Sequence, residues 1–326
     1  ATLRWLKKTQ NADGSWCDNK KVGMTGLGLL TFLGHCETAG SEEFGETVLA
    51  AITYLVDKSM QNDGKLASDF KDNHWCYEHS IAVYALAEAY TLCIKSFNEN
   101  INQLEEAVMA SGQFMINSQH QGGGWDYAYS EDSTRGRDVS IVGWHMQALK
   151  ACKFTGLDFA NMNRCYRDGL DYIERMQLAS GAIGYSSPTL GRGDGTTLAA
   201  VGALCFQIWK SNASPVARKA VRFMDKEMKF DWDTPDSDLY GHYYAVQCMI
   251  NNGGKEWERY NKLFRDQVLE NQHADGYYKV VGPGVNAVAG SFATDAGYGR
   301  HYRACLATLM LESYYRFLPG TGAKTN

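Results

Sequence analysis

Several features that define other protein classes are scarce or missing in this sequence. Only five of its 326 residues are proline, and no linker or low-complexity tract interrupts the chain, which argues against loosely joined modules. No apolar run approaches the roughly 20 residues that a membrane-spanning helix needs. The nine cysteines form no CxxC pair, which argues against a disulfide scaffold and a thiolate zinc site. Cys17 and Cys76, each beside a tryptophan, are the one pair worth testing for a bridge.

Strong charge is also missing. The net charge is -5 and the pI about 5.9, so nothing draws the chain toward nucleic acid or an anionic membrane surface. Hydrophobic residues make up 44% and charged residues 21% of the chain, as in globular proteins with a large core. The sequence begins inside a helix-like stretch without a signal-peptide pattern, which leaves localisation and an upstream segment open.

What the sequence does contain is a repeat. A glutamine, a polar turn and a glycine followed by an apolar or aromatic residue recur along the chain, and Glu227 marks a degenerate sixth copy. Successive anchors lie roughly 45 to 58 residues apart, a spacing typical of repeat architectures. The residues that define the repeat are Gln10, Trp16, Gln61, Gln119, Trp125, Gln177 and Gln272.

Two kinds of helix alternate between these turns. Amphipathic outer helices are predicted over 3–9, 46–60, 102–118, 162–176, 215–228 and 255–271. Helices that are apolar on nearly every face are predicted over 22–36, 78–94, 138–154, 196–209, 239–250 and 299–317, and they belong inside. Six such pairs predict an all-α fold, an (α/α)6 toroid around a central cavity, with an open helical solenoid as the alternative. We expect one domain over residues 1–318 and a tail over 319–326.

The turn resembles the QW repeat of squalene-hopene and oxidosqualene cyclases and, more loosely, of protein prenyltransferase β subunits. Segments such as Tyr77-Glu78-His79-Ser80-Ile81-Ala82 and Tyr314-Tyr315-Arg316-Phe317-Leu318-Pro319 are closer still to planctomycete-type bacterial proteins with prenyltransferase and squalene oxidase repeats. The resemblance implies the toroid fold. It also implies that the repeat residues join adjacent hairpins and take no part in chemistry.

The acid motif of those cyclases is incomplete in this chain. Their Asp-x-Asp-Asp motif aligns with 138–141, where Asp138 matches the first aspartate but Ser140 and Ile141 replace the others. Neighbouring carboxylates can hold a strongly acidic proton, and that arrangement is lost. Asp231 and Asp233 offer only a weak substitute in a loop. The zinc ligands of prenyltransferases match poorly around 236–240, so neither a metal nor a cofactor is predicted.

A different set of residues is expected to meet at one rim of the ring. His79, His242 and His301 occupy the same H-x-x-A register at the start of inner helices, and Asp138 begins another, which makes these four the catalytic candidates. The predicted ligand-binding residues at the same end are Tyr77, Glu78, Tyr84, Trp144, His145, Tyr240, Tyr243, Asp295, Tyr298 and Arg300. The alternative is that all of them cap helices and pack beneath the loops.

Three function classes stay open on this basis. The first is a terpenoid cyclase-like or prenyltransferase-like toroid that binds a small ligand, with an isoprenoid favoured, in its cavity. The second is a non-catalytic module that binds a ligand, a partner protein or a flanking domain. The third is a carbohydrate-active lyase or hydrolase with a rim of histidine, tyrosine and arginine. Whether the chain is an enzyme is left undecided by the sequence.

Overall fold

The computed structural model describes residues 1–130, 138–190, 195–280 and 294–315, and the regular elements in these ranges are helices. A π-helical segment, Tyr90–Ser96, continues the fourth α-helix. The α-helices are α1 Thr2–Thr9, α2 Lys21–Gly34, α3 Gly45–Gln61, α4 Trp75–Ala89, α5 Leu104–Asn117, α6 Val139–Thr155, α7 Met162–Arg175, α8 Thr196–Trp209, α9 Pro215–Glu227, α10 Leu239–Asn252, α11 Gly254–Glu270 and α12 Gly299–Glu312.

The helices form two concentric layers. Even-numbered helices are buried on nearly all sides, and glycine lets them approach closely, as where Gly26 of α2 meets Ile81 and Ala82 of α4. Odd-numbered helices bury one face, so that α3 packs Ile52 into the core while Leu49 is 41% exposed. The alternation of inner and outer helices predicted from the hydrophobic pattern is confirmed.

The inner helices close into a ring. Each of α2, α4, α6, α8, α10 and α12 packs against the next one in this order, and α12 packs against α2. Helix α1 contacts both α12 and α2, so the last pair meets the first. The fold is therefore an (α/α)6 toroid and not an open solenoid. The predicted tail, 319–326, lies outside the described residues.

Glycines in the repeat turns hold neighbouring pairs together. Gly14 has a φ of +84°, and a Cβ there would lie 2.3 Å from the carbonyl oxygen of Ala50 in the next outer helix. Gly123, with a φ of +90°, presses in the same way on Asp168 of α7. A side chain is excluded by both the backbone conformation and the contact. The equivalent contacts are Gly64 with Ala110, Gly181 with Lys219 and Gly276 with Ala1.

The repeat glutamines bridge the same junctions. Gln10 Nε2 donates to the carbonyl oxygens of Gly14 and Thr47, each at 2.9 Å, so that it ties its own turn to α3. Gln119 Nε2 repeats this pattern with Gly123 O at 3.0 Å and Cys165 O at 2.9 Å. The further bonds are from Gln177 Nε2 to Val216 O at 3.0 Å, Gln272 Nε2 to Thr2 Oγ1 at 2.9 Å, Trp16 Nε1 to Leu6 O at 2.9 Å and Trp125 Nε1 to Met115 O at 2.8 Å.

In two copies of the repeat, a different side chain makes the hydrogen bond to the neighbouring segment. Gln61 is exposed at the end of α3, and Ser59 Oγ instead bonds Ala107 O of α5 at 3.3 Å. In the copy that begins at Glu227, the glutamine comes from the next outer helix, α11. Gln267 Oε1 accepts from Trp232 N at 2.9 Å, and Gln267 Nε2 donates to Phe230 O at 3.1 Å. The amide bridge between turn and outer helix is thus kept with its direction reversed.

The structure also bears on the disulfide bridge and the membrane-spanning helix considered in the sequence. All nine cysteine thiols are free, so the bridge considered between Cys17 and Cys76 is absent. Burial raises the pKa of the Cys17 thiol to about 12. Throughout the part of the chain that the structure describes, no helix combines the length and apolar character needed to cross a bilayer.

Candidate functional site

The middle of the ring is crossed by a packed set of polar and aromatic side chains, the middle layer, formed by Tyr84, Trp144, Gln147 and Tyr243. Trp144 of α6 stacks on Tyr243 of α10 with ring centroids 5.3 Å apart, and Gln147 Nε2 donates to Tyr243 Oη at 3.2 Å. Burial raises the pKa of Tyr243 to about 12, against the lowering effect of hydrogen bonds with Gln147, Gln247 and Tyr84.

The middle layer changes the role expected for three predicted ligand-binding residues. Tyr84, Trp144 and Tyr243 have at most 2% of their surface exposed. They were expected to bind a ligand at one rim of the ring, but they pack against one another because buried aromatic rings and hydroxyl groups gain most from such contacts. They form a floor across the ring.

A second group of residues lies at the end of the ring where the inner helices begin. We call Tyr77, Tyr127, Tyr240, Asp138 and Ser140 the phenol cluster. Tyr77 Oη and Ser140 Oγ are 2.8 Å apart, and Tyr240 Oη donates to Ser140 O at 3.3 Å. The tyrosines are only half-buried, although they come from three different parts of the ring. Residues remote in sequence therefore meet at this end of the ring, and each of the three tyrosines keeps part of its surface exposed.

Asp138 is the acidic member of the phenol cluster. It is the N-cap of α6, where Oδ1 accepts hydrogen bonds from Ile141 N at 3.0 Å and from Ser140 Oγ. Its residue surface is 1% exposed, and the hydroxyl group of Tyr127 is a further hydrogen-bond partner of its carboxylate. Burial raises the pKa of Tyr77, Tyr127 and Tyr240 well above its usual value, and the charge of Asp138 adds to each shift.

Tyr127 and Tyr185 were not predicted from the sequence, and their hydroxyl groups contact each other. The carbonyl of Tyr127 accepts from Cys76 N at the start of α4 at 3.1 Å, and that of Tyr185 accepts from Val139 N of α6 at 2.9 Å. Each tyrosine stands four residues after its repeat glycine, Gly123 or Gly181. Comparison of the repeats beyond the aromatic position would have found both.

The histidines do not share a rim. His79 accepts from Leu66 N at 3.1 Å and packs its ring 5.1 Å from that of Phe114 in α5. His242 bonds Tyr260 Oη of α11 at 2.8 Å. Both side chains lie between the inner and outer helices, so the prediction that they converge on the central space is wrong.

The other two histidines are placed in the same way. His301 bonds Met24 O at 2.8 Å and lies beside Trp16, while His145 bonds Tyr129 Oη at 2.7 Å and stacks on Trp125. Burial lowers the pKa of His79 and of His145 to about 3 and that of His301 to about 4. These three imidazoles are neutral near pH 7 and fill the space beneath the repeat turns.

The remaining predicted ligand-binding residues stabilise helix ends. Glu78 accepts hydrogen bonds from Gly23 N at 3.1 Å and from Ser68 Oγ, which joins α4 to α2. Asp295 pairs with Arg300 at 3.1 Å and also contacts the buried Arg303.

Arg300 lies 4.5 Å from the ring centroid of Tyr277, whose ring neighbours Trp5 of α1. Its guanidinium is thus held on the side of the outer helices. Tyr298 is half-buried just before α12. In the described ranges, no three histidine, cysteine, aspartate or glutamate side chains are grouped so that they could hold a metal ion.

Comparison with known proteins supports the fold and leaves the chemistry open. No family model matches the sequence, and no curated protein matches it. The structure is similar to the type II terpene cyclase MstE from Scytonema in complex with geranylgeranyl dihydroxybenzoate, with a TM-score of 0.61, 13% identity, and coverage of 97% of this chain and 96% of that one.

The second kind of similar structure is an α-1,6-mannanase of glycoside hydrolase family 76 from Salegentibacter, in complex with α-1,6-mannotetrose. Its TM-score is 0.66 at 11% identity, with coverage of 96% of this chain and 98% of that one. A protein from Actinoplanes gives a TM-score of 0.59 at 13% identity over 96% of this chain and 97% of that one. The chain therefore has the α/α-toroid fold, which serves more than one reaction.

Proposed function

We propose that this toroid binds a small ligand with an isoprenoid-type hydrocarbon chain at the phenol cluster, at the end of the ring where the inner helices begin. The observation that carries the proposal is the meeting of Tyr77, Tyr240 and Ser140 from three separate inner helices around half-exposed aromatic surface. Such a lining, mostly aromatic with a few polar groups at one end, suits an elongated apolar ligand with one polar end.

The same geometry argues against acid-initiated cyclisation. An acid that protonates an alkene must carry the proton before the reaction and release it readily. Asp138 instead serves as the N-cap of α6, where its Oδ1 accepts hydrogen bonds from Ile141 N and Ser140 Oγ. The positions of the second and third motif aspartates are Ser140 and Ile141. We therefore propose ligand binding without this reaction.

We also propose that the chain is related to the QW-repeat proteins. The amide bridges of Gln10 and Gln119 support membership of the QW-repeat proteins related to squalene-hopene cyclases, including the planctomycete-type members. The closed ring supports a single domain over residues 1–318. The terpene cyclase that shares the fold binds geranylgeranyl dihydroxybenzoate, which makes an isoprenoid chain the first ligand to test.

The carbohydrate alternative has a specific weakness. The mannanase of similar fold is inactive in a variant that lacks two adjacent aspartates. This sequence contains no pair of adjacent aspartates. Tyrosine faces also stack on sugars, so mannotetrose belongs in the same binding experiment as a competing ligand.

The test is isothermal titration calorimetry of the pure protein with geranylgeranyl dihydroxybenzoate, squalene and α-1,6-mannotetrose, with mass spectrometry of the mixtures afterwards. The proposal expects an isoprenoid to bind and to be recovered unchanged. Tyr240→Ala should weaken binding, whereas Tyr315→Ala, at a position 91% exposed, should leave it unchanged.

Each other outcome selects a different function. A cyclised product would overturn the proposal in favour of a terpene cyclase, and cleavage of mannotetrose would favour a glycosidase. Binding of none of the ligands would overturn it in favour of a scaffold module. Thermal unfolding of both variants shows whether Tyr240→Ala still folds.

A further inference from the structure

Two buried histidines contact the same tyrosine beneath one turn of the ring. His79 of α4 and His145 of α6 are fully buried, and their rings lie 5.5 and 5.6 Å from the ring of Tyr129, measured between centroids. Tyr129 belongs to the turn over residues 126–130 and is only half-buried. A half-exposed tyrosine therefore covers two imidazoles that water does not reach.

The hydrogen bonds fix where each neutral imidazole carries its hydrogen. His145 Nδ1 donates to Ile141 O at 2.8 Å, because a carbonyl oxygen can only accept. The other nitrogen, Nε2, therefore carries no hydrogen and accepts from the hydroxyl group of Tyr129 at 2.7 Å. His79 Nδ1 carries no hydrogen either, because it accepts from Leu66 N at 3.1 Å.

An added proton on either imidazole would meet a hydrogen-bond donor. On His79 it would place an N–H group against the backbone N–H of Leu66, and on His145 it would displace the hydroxyl hydrogen of Tyr129. Burial lowers the pKa of both imidazoles to about 3, and the neighbouring His145 lowers the pKa of His79 further. The folded turn thus requires both histidines to be neutral.

The described groups around the two histidines do not compensate for a positive charge there. The titratable groups on the surrounding elements are Lys65 and His74 before α4, Cys76 on α4, His120, Asp126 and Tyr127 in and beside the turn, and Asp138 at the start of α6. None of these side chains shifts the pKa of His79 or His145, whose remaining contributions come from the backbone of Ser111 and Ile141.

The turn itself depends on the Tyr129 contacts. Tyr129 has a φ of +55°, which is unfavourable for a bulky residue and persists only where surrounding contacts hold it. Its ring contacts Trp75 and Phe114 in addition to the two histidines. Two residues earlier, the carbonyl of Tyr127 accepts from Cys76 N in the first turn of α4 at 3.1 Å. Loss of the Tyr129 contacts would therefore loosen the attachment of the turn to α4.

We propose that His79 and His145 make this turn sensitive to acid, so that protonation of either imidazole displaces Tyr129 and releases residues 126–130 from α4 while the ring of inner helices stays closed. Displacement lets water reach both imidazoles and breaks the bond between Tyr127 O and Cys76 N. Tyr127 then leaves the phenol cluster, and the ligand site loses one of its tyrosines in acid. Only this last consequence rests on the proposed function.

The amide of Cys76 reports on the turn, and the amide of Val139 is its internal control. Each lies in the first turn of an inner helix and donates to the carbonyl of a turn tyrosine, Tyr127 or Tyr185, but the two histidines contact only the first of these turns. Hydrogen exchange with residue resolution at pH 7 and pH 5 gives the protection factor of each amide. The Cys76 protection should fall about 25-fold for each histidine that is protonated on opening, if its pKa is then about 6.5. The Val139 protection should be unchanged.

Three variants assign the effect to the two histidines. His79→Gln and His145→Gln each remove one titrating group and should each reduce the fall in Cys76 protection between pH 7 and pH 5 about 25-fold. His301→Gln is the matched control, because burial lowers the pKa of His301 to about 4 as well, but this ring lies beside Trp16 under a different turn. It should leave the fall unchanged. The ratio between the two pH values is the readout, so a variant that loosens the turn at both values still tests the proposal.

The other outcomes would overturn the proposal. Equal falls at Cys76 and Val139, or the same effect of His301→Gln as of His145→Gln, would show that acid unfolds the whole protein and not the turn. Unchanged protection of Cys76 at pH 5 would show that the turn does not respond to acid. Ligand binding is tested separately at pH 7. If no isoprenoid binds there, the proposed function fails while the acid response of the turn stands.

Discussion

Gly276 packs against the carbonyl group of Ala1, so that the last repeat turn touches the first outer helix. A Cβ at position 276 would lie 2.6 Å from Ala1 O, and Thr2 Oγ1 donates to Gly276 O at 2.8 Å. Gln272 Nε2 completes the junction by donating to Thr2 Oγ1 at 2.9 Å. These contacts join residues 270 or more positions apart and close the ring.

Gly276→Ala is expected to weaken this closure. The glycine has a φ of +103°, and alanine would meet both backbone strain and the Ala1 carbonyl, which together should lower the free energy of unfolding by about 2–4 kcal/mol. Gly253→Ala is the control, because its φ is +70° but a Cβ there meets nothing within 4 Å. Urea unfolding followed by circular dichroism measures both. A loss at Gly276 no larger than at Gly253 would contradict a tight closure contact.

The repeat glutamines should differ in importance according to their contacts. Gln119→Ala removes bonds to Gly123 O and Cys165 O and should cost about 1–3 kcal/mol of stability, because partly buried carbonyl groups lose a donor. Gln61→Ala alters the same repeat position, but the side chain is exposed, and the change should stay within about 0.5 kcal/mol. Chemical denaturation of the two variants provides the comparison. Equal losses would show that the repeat position matters and the bonds do not.

Acid should destabilise the protein through its buried histidines. The pKa of His79 and of His145 is about 3 in the folded protein, below the value of about 6.5 in an unfolded chain. The folded state therefore binds fewer protons than the unfolded state between these values. Stability is fully present above about pH 6.5 and falls by roughly 1.4 kcal/mol per pH unit and per histidine below about pH 6.

His79→Gln should reduce this acid sensitivity. The measurement is the free energy of unfolding at pH 7 and pH 5 for the natural protein and the variant. The variant is expected to be less stable at pH 7 and to lose less stability at pH 5. An unchanged pH dependence would show that His79 is not a buried neutral imidazole.

Trp125→Phe tests the hydrogen bond from the repeat tryptophan. The indole Nε1 donates to Met115 O at 2.8 Å beneath the turn, and its ring stacks on His145. Phenylalanine keeps an aromatic ring but leaves the carbonyl without this donor, which should cost about 1–3 kcal/mol. Trp257→Phe is a suitable control, because that side chain is only half-buried on α11. Similar losses in thermal unfolding experiments would contradict the importance of the Met115 bond.

The ring could be predicted because its signals are local and repeated. Apolar periodicity set the inner helices apart from the outer ones, and the glycine turns recurred at regular spacing. Gln61 shows the limit of this reasoning. Its place in the motif matches that of Gln10, yet Ser59 makes the bond to the next outer helix. Which polar side chain reaches a carbonyl depends on the angle between the helices, and a repeat pattern does not contain that angle.

The candidate site was predicted only in part. The histidine register correctly marked the starts of inner helices but did not give the direction of the side chains. His79 and His242 each follow an interior tyrosine, Tyr77 or Tyr240, by two residues, which is about 200° around a helix. They therefore face the outer layer when the tyrosines face inward. Tyr127 was missed because it lies in a turn, where helical periodicity gives no information.

The middle layer has a consequence for anything that enters the ring. Trp144 and Tyr243 lie stacked across its interior, joined to Gln147 by a hydrogen bond. A ligand bound beside Tyr77, as we propose, would meet this aromatic barrier and would have to leave by the route by which it entered. A long polymer would be held by one terminus, with the remainder in water, and could not be threaded through.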